Sequence, residues 1–120
     1  MSPGLGEEGE KRACTFLKRR GYRILDRNYG APHGEVDIVA ARGSLLVFCE
    51  VKTRTAEDME EALEAVDEEK QGRIARVAEH YLAIENPKVQ QCRFDVIALL
   101  KNGSVWTIEH VEDAFEIGGL

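Results

Sequence analysis

The sequence predicts an α/β domain with a mixed central β-sheet flanked by helices. Three observations lead to this fold class: an amphipathic helical pattern near the N-terminus, two alternating strand patterns joined by a short turn, and a second helical pattern followed by two more strands. A helix between strands is typical of a crossover connection that packs on the sheet. The 120 residues, 43% of them hydrophobic, can build one modest core. We therefore expect residues 1–120 to form a single domain.

The first helix is predicted over residues 5–20, and Gly21 provides a typical C-terminal stop. Its apolar stripe includes Ala13, Cys14 and Leu17. Counting back along this stripe by three and four residues reaches Glu10, so a carboxylate lies on the core-facing edge of the helix. Because an unpaired buried charge is costly, Glu10 is a candidate member of a functional site. The alternative is an acid near the helix N-terminus that the helix dipole favours.

Three strands are predicted to follow this helix. The first covers residues 22–28, and a turn is expected around residues 30–34. The second strand covers residues 34–41, and a turn at residues 42–44 joins it to a third strand that begins at Leu45. The second and third strands therefore form a hairpin.

A long second helix and two more strands complete the predicted domain. The helix extends over residues 67–84 and ends before Asn86-Pro87. The last two strands cover residues 93–100 and 105–109, and Asn102-Gly103 between them is a strong hairpin turn. Asp95 lies within the first of these strands, and we interpret it as a structural residue that pairs with a nearby cation.

The hairpin carries the most informative residues of the chain. Asp37 lies on its first strand, and Glu50 and Lys52 share one face of its second strand, because residues two apart point the same way. The same alternation places Val36 and Ile38 together on the face opposite Asp37. If the two strands pair, two acids and one amine meet at one point. Magnesium is usually held by one or two carboxylates, waters and phosphate oxygens, so Asp37 and Glu50 are the predicted metal ligands.

Lys52 could then orient an attacking water or stabilise charge that develops on a phosphate. Arg54 lies two residues further along the same face and is a candidate for binding a substrate phosphate. The acid-any-lysine spacing alone is weak evidence, because Glu68-Glu69-Lys70 has it too, in a highly charged helical stretch. The alternative is a Glu50–Lys52 ion pair at the end of a strand. Placement on two successive apolar strands favours the functional interpretation.

These motifs resemble the YraN-like family of small bacterial proteins. The resemblance covers nearly the whole chain and is most specific in the two strand motifs. It is carried by Gly9-Glu10 with Ala13, Gly21-Tyr22-Arg23-Ile24-Leu25 with Asn28, Gly34-Glu35-Val36-Asp37-Ile38-Val39-Ala40, Val47-Phe48-Cys49-Glu50-Val51-Lys52-Thr53-Arg54, Ala65-Val66, Ala78 to Leu82, Arg93-Phe94-Asp95-Val96 and His110 to Phe115.

The YraN-like family is in turn similar to the PD-(D/E)XK nuclease superfamily and, within it, to archaeal Holliday-junction resolvases. The resemblance implies a restriction-endonuclease-like core, metal ligation by Asp37 and Glu50, a catalytic role for Lys52 and a supporting role for Glu10. It also suggests a homodimer, although no residue pattern identifies an interface. Val36 stands where the superfamily name would put proline, as in the YraN-like pattern itself.

The charge distribution qualifies the expectation of DNA binding. The net charge of −6 has the wrong sign for a protein whose affinity comes from phosphates. Residues 1–30, however, carry seven basic and four acidic side chains, whereas residues 57–70 carry eight acidic and one basic side chain. Lys11, Arg12 and Lys18 belong to this basic area and are candidate DNA contacts. Relatives tend to be basic where the second helix begins, so the acidic residues here lower the expected strength of binding.

Composition excludes several classes of protein. No apolar run approaches the roughly 18 residues of a membrane span, and the N-terminal residues lack the regions of a signal peptide, so we expect a cytoplasmic protein without membrane contact. Cys14, Cys49 and Cys92 are odd in number and lie in apolar surroundings. This pattern indicates buried free thiols, not disulfides or a zinc site.

The leading functional hypothesis is a magnesium-dependent endonuclease, for which Mn²⁺ could substitute, that hydrolyses phosphodiesters in DNA. Branched or otherwise structured DNA is one candidate substrate. A second hypothesis is a noncatalytic module that binds nucleic acid or protein on the same fold, which the acidic balance allows. A third assigns a protein-interaction role to the acidic segment at residues 57–69.

Overall fold

The computed structural model describes residues 4–32, 34–62, 64 and 66–116 of the chain. The helices are α1 (Leu5–Arg19), the short α2 (Met59–Ala62) and α3 (Glu68–Glu85), and a 3₁₀ turn (Ala56–Asp58) precedes α2. The strands are β1 (Arg23–Ala31), β2 (Gly34–Arg42), β3 (Leu45–Thr55), β4 (Gln91–Asn102) and β5 (Val105–Val111).

The five strands form one mixed sheet in the order β1-β2-β3-β4-β5. Neighbouring strands are antiparallel except for β3 and β4, which are parallel in a register from Leu45↔Gln91 to Thr55↔Lys101. Parallel strands need a long crossover, and α3 lies within the connection between them. The structure thus confirms the predicted α/β class with a mixed sheet flanked by helices, and it is consistent with a restriction-endonuclease-like core.

Each face of the sheet has its own hydrophobic core. On the α3 side, Phe48 and Phe94 stack with ring centroids 5.6 Å apart, and Tyr81 of α3 meets the edge of Phe48. On the α1 side, Leu17 packs with Ile38, Val47 and other fully buried residues. We call these the α3-side core and the α1-side core. The residues of β3 alternate between them, as a strand buried on both faces requires.

Most predicted elements are confirmed to within one or two residues at their ends. Helix α1 ends where expected, and Gly21 has a φ of +88°. Helix α3 begins after Asp67, whose Oδ1 accepts a hydrogen bond of 2.8 Å from the Lys70 backbone N–H, and ends at Asn86 in the left-handed conformation. These caps use side-chain and backbone signals that the sequence contains.

Two expectations are wrong. Strand β1 continues to Ala31, which pairs with Gly34, so the ladder extends into the turn expected at residues 30–34; His33 of that turn lies outside the described residues. Val36 and Ile38 do not share a face. Val36 belongs to the α3-side core and Ile38 to the α1-side core, so the alternation of β2 breaks at the residue between them.

A buried charge network ties β4 to β5. Asp95 is fully buried, and its carboxylate accepts two hydrogen bonds of 2.8 Å from Arg93, one of 3.0 Å from the Asp113 backbone N–H, and a contact of 2.7 Å with His110 Nε2. Burial by itself would raise the pKa of Asp95, but the hydrogen bonds from His110 and Arg93 outweigh it and lower the pKa. The prediction that Asp95 pairs with a cation is confirmed.

The three cysteines are free thiols, as predicted; Cys14 and Cys49 are buried and Cys92 is half-buried. None of the helices in the described part of the chain is long and apolar enough to cross a membrane.

Helix α1 approaches the sheet very closely at Gly9. A Cβ atom added to Gly9 would lie 1.9 Å from Thr53 Oγ1 and 2.8 Å from Thr53 Cβ on β3. Such distances are not possible for real atoms, so only glycine allows α1 to lie this close to β3. The contact also determines where the next residue, Glu10, meets the sheet.

We expect Gly9→Ala to lower the free energy of unfolding by about 1–3 kcal/mol, because α1 must move away from Thr53. Gly6→Ala is the matched control: no atom lies within 4 Å of its added Cβ, and the change should stabilise α1 by about 0.5–1 kcal/mol. Urea unfolding of both variants measures the difference. Equal stability of the two variants would contradict the close packing.

Candidate functional site

The candidate site begins where β2 and β3 separate. The two strands pair from Arg42↔Leu45 to Ile38↔Cys49, and the recorded pairing ends there. At that point Asp37 Oδ2 accepts a hydrogen bond of 2.8 Å from the backbone N–H of Val51 on β3. A side chain thus takes the place of the strand ladder. This bond holds the Asp37 carboxyl beside the part of β3 that contains Glu50 and Lys52.

Asp37 is a half-buried carboxyl among other acids. Burial is the largest cause that raises its pKa, to about 7, and the negative charge of Glu50 is the next. Glu10 and Glu35 raise this pKa further, while the hydrogen bond from Val51 opposes the shift. The protein therefore holds Asp37 and Glu50 close together although their charges repel each other. We call these two acids the acid cluster.

Glu50 lies on the α3 side of the sheet and makes one close ion pair. Its Oε1 is 2.6 Å from Nζ of Lys70, and the Glu50 side chain is only 10% exposed. Lys70 lies in the first turn of α3. The sequence interpretation set Lys70 aside as part of a chance acid-any-lysine spacing. Its position as the only basic residue of the segment 57–70 was the available signal.

Lys52 projects to the same side of the sheet as Glu50, as the strand alternation predicted. Lys52 is 9% exposed, and its Nζ donates a hydrogen bond to the backbone carbonyl of Glu64. Burial is the main cause that lowers the pKa of Lys52, and the positive charges of Lys70 and Arg54 lower it further. No ion pair of 4 Å or less joins Lys52 to Glu50 in the part of the chain that is described, so the simple ion-pair alternative is not supported.

Glu10 approaches Asp37 from α1, which packs on the opposite side of the sheet from α3. Its Oε1 is buried and has no hydrogen-bond partner among the described residues, and the nearest cation recorded is Arg27, at 4.0 Å. Its negative charge is one of the causes that raise the Asp37 pKa. A buried carboxylate oxygen without a donor is unusual, because such a group costs free energy unless something binds it.

The four predicted site residues lie within the part of the chain that matches a protein family. Residues 9–99 match the model of "Uncharacterised protein family UPF0102". The chain belongs to the UPF0102 family. The predicted YraN-like membership is therefore confirmed, and Glu10, Asp37, Glu50 and Lys52 all lie within the matched residues.

Full-length relatives support the same membership. A UPF0102 protein of Dictyoglomus thermophilum is 44% identical over 113 residues, which cover 92% of this chain and 96% of the relative. A UPF0102 protein of Magnetococcus marinus is 41% identical, with 94% and 92% covered. One of Syntrophotalea carbinolica is 44% identical, with 96% and 94% covered. The matches thus cover nearly the whole length of both this chain and these relatives.

The predicted DNA contacts of this UPF0102 protein are spread over two elements. Arg54 on β3 donates a hydrogen bond of 2.9 Å to the Thr53 carbonyl, and its Nε lies 3.0 Å from Glu61 Oε1 in an ion pair without hydrogen-bond geometry. Lys11 and Lys18 are exposed on α1. Arg12 pairs with Glu8 at 3.3 Å and lies over the ring of Trp106. Of these four candidate contacts, Arg54 is the one on the same strand as Glu50 and Lys52.

The donor set fits a hard divalent cation only in part. Asp37 and Glu50 offer carboxylate oxygens, and Glu10 has an oxygen without a donor. Within the described ranges, however, no group of three or more His, Cys, Asp or Glu side chains is arranged to hold a metal ion. Two protein carboxylates can nevertheless be sufficient for magnesium when waters and substrate phosphate oxygens complete the coordination.

We expect the Asp37 carboxyl to titrate near pH 7 in the folded protein, and Glu50→Gln to lower this pKa because it removes the nearest negative charge. Since the folded pKa lies above the unfolded value of about 3.9, stability should decrease as the pH rises between these two values. Asp37→Asn should therefore make the protein more stable at pH 8. Carboxyl ¹³C shifts and urea unfolding measure both effects. A titration of Asp37 near pH 4 would contradict the acid cluster.

Proposed function

We propose that this UPF0102 protein is a metal-dependent endonuclease that hydrolyses phosphodiesters in DNA, with branched or structured DNA as its candidate substrate. The observation that carries the proposal is the position of Asp37 beside Glu50 at the end of the β2–β3 pairing, with Lys52 two residues after Glu50 on the same face of β3. Placing two acids together in a partly buried site is unfavourable for folding. Such an arrangement is typical of sites selected for chemistry.

Asp37 and Glu50 would hold Mg²⁺, or Mn²⁺ in its place. Once bound, the ion would lower the pKa of a coordinated water and neutralise charge on the phosphate. The positive charge of the ion would also relieve the repulsion between the two carboxylates. A cation at this point would compete with Lys70, whose Nζ lies 2.6 Å from Glu50 Oε1, for the negative charge of Glu50.

Lys52 is the proposed catalytic cation. Its pKa is lowered by burial and by neighbouring positive charges, which destabilise the charged ammonium. An anion that approaches Lys52 would stabilise the ammonium. We propose that it donates a hydrogen bond to the water or to a phosphate oxygen, where negative charge develops. Glu10 would support the site through its buried Oε1, which accepts no hydrogen bond from any of the described residues.

DNA would reach the site across a surface of mixed charge. The proposed phosphate contacts are Arg54, Lys11, Arg12 and Lys18. In the free protein Arg54 forms an ion pair with Glu61. The acidic residues of the segment 57–69 would repel a duplex that approached along α2. With a net charge of −6, binding should be weak and strongly dependent on salt.

A second function is favoured by the internal contacts of the site. Lys70 neutralises Glu50, and Lys52 is bound by the Glu64 carbonyl, so both residues already have partners within the chain. This arrangement would also suit a noncatalytic module that binds nucleic acid or protein. Binding of branched DNA that persists in EDTA, without products in Mg²⁺ or Mn²⁺, would favour this alternative.

Metal binding can be tested without a substrate by calorimetric titration of Mn²⁺. We expect saturable binding that is lost in Asp37→Asn. Lys70→Met should bind Mn²⁺ about threefold to tenfold more tightly, because it removes a competing ion pair of about 1 kcal/mol. Lys88→Met is the matched control, since it removes an exposed lysine beyond the end of α3 and should leave affinity unchanged. Equal affinity of wild type and Asp37→Asn would contradict the proposed ligand.

Cleavage tests the catalytic roles. With Mg²⁺ and a panel of linear and branched DNA substrates, Asp37→Asn, Glu50→Gln and Lys52→Ala should each reduce the rate by about 100-fold or more, because each removes a metal ligand or the catalytic cation. Circular dichroism should show an unchanged fold. Glu85→Gln, at the exposed C-terminal end of α3, is the control and should cleave normally. Unchanged cleavage by all three site variants would refute the proposed function.

A further inference from the structure

The two edge strands of the sheet differ in how well they are protected against pairing. Edge strands commonly carry charges, bulges or irregular backbone that prevent association with another strand. Strand β1 has these features: its register shifts between Ile24 and Asp26, Asn28 has a φ of +51°, and Arg23 and Arg27 add further charge. This edge is therefore unsuited to further pairing.

Strand β5 has less of this protection, and Glu109 is its one acidic side chain. It contains no lysine, arginine or proline, and its antiparallel register with β4 is regular from Val96↔Val111 to Asn102↔Val105. Among the residues that the structure describes, no strand pairs with its outer edge. The outer edge of β5, residues 105–111, is thus a regular row of backbone donors and acceptors that is open to a further strand.

The side chains of β5 divide between a packed and an open face. Trp106 and Ile108 pack against the α1-side core, and His110 contacts Asp95. The other face is exposed at every position, and it includes Val105 (61% exposed) and Val111 (43% exposed), two of the four large exposed hydrophobic residues in the described part of the chain. Two apolar side chains therefore stand at the two ends of the open face.

The sequence of β5 is close to symmetric about Ile108. It has valine at both ends, an aromatic ring at the second position from each end, and a polar side chain on each side of the centre. In an antiparallel pair of two copies centred on Ile108, Val105 would face Val111 of the other copy, and Thr107 would face Glu109. No two like charges would be opposite each other, and the two exposed valines would cover each other.

We propose that the outer edge of β5 pairs with the same edge of a second copy of this chain, in an antiparallel register centred on Ile108. Opposed residues in this register are both odd-numbered or both even-numbered. The alternation of outward-directed backbone groups along an antiparallel strand requires this. The two-fold axis is then perpendicular to the sheet, and the two sheets join into one continuous sheet with α1 of both copies on the same side.

A second copy fits this edge better than an unrelated strand. An interface between two identical copies requires that the strand be complementary to itself, and β5 meets this requirement at all seven positions. Pairing with an unrelated strand would not require any symmetry in the sequence of β5. The single charge of the strand, Glu109, would meet the hydroxyl of Thr107, which can donate a hydrogen bond to it. The proposal is independent of any catalytic activity, because β5 pairs with β4, whereas Asp37 lies on β2 and Glu50 and Lys52 lie on β3.

The test is the oligomeric state of the full chain, measured by sedimentation equilibrium from micromolar to millimolar concentrations. Wild type should form a dimer. Thr107→Glu places two glutamates opposite each other twice per dimer, so it should raise the dimer Kd by about tenfold or more. The double variant Thr107→Glu/Glu109→Lys restores opposite charges in the same register and should recover dimerisation. Both positions are exposed, so the fold of the monomer should not change.

A wild type that remains monomeric at all concentrations would overturn the proposal. A dimer that Thr107→Glu leaves unaffected would overturn it as well, since the two copies would then meet through another surface. If Thr107→Glu weakens the dimer and the double variant does not recover, the register centred on Ile108 is wrong. Loss in the single variant together with recovery in the double variant supports the proposal.

Discussion

The hydrogen bond from the Val51 N–H to Asp37 marks the point on which the candidate site depends. Up to Ile38↔Cys49 the backbones of β2 and β3 pair with each other. Beyond that pair, the Asp37 carboxylate accepts the hydrogen bond of the Val51 N–H on β3. The break in the alternation of β2 occurs at the same residue, so Val36 and Ile38 pack into different cores. One side-chain hydrogen bond therefore joins the strands where their ladder ends, and it positions an acid there.

Most charged residues around this point have a polar or oppositely charged partner within the chain. Asp37 is destabilised as an anion by burial and by Glu50, while Lys70 neutralises Glu50 and the Glu64 carbonyl accepts from Lys52. Arg54 is paired with Glu61. The segment from α2 to the first turn of α3 thus supplies partners to all three residues on this side of β3. Of these partners only Glu61 acts through an acidic side chain, because Glu64 contributes its backbone carbonyl and Lys70 its ammonium.

The fold followed closely from periodicity and from stop signals. The helix ending before Gly21 and the helix capped by Asp67 and Asn86 have side chains and backbone conformations that depend on local sequence. The length of β1 was not predictable in this way, because it depends on pairing with β2. The face of Ile38 was missed for a related reason: strict alternation holds only while a strand stays regular.

For the site, the sequence by itself determined which residues are chemically suited to act. Two acids and a lysine on successive apolar strands identified Asp37, Glu50 and Lys52, and the helical stripe identified Glu10. Only the tertiary structure decided what each of them meets. Lys70 is twenty residues from Glu50 and reaches it because the crossover returns α3 over the sheet, and Gly9 matters because α1 lies against Thr53. Contacts between residues distant in sequence are determined by packing, which a one-dimensional pattern does not contain.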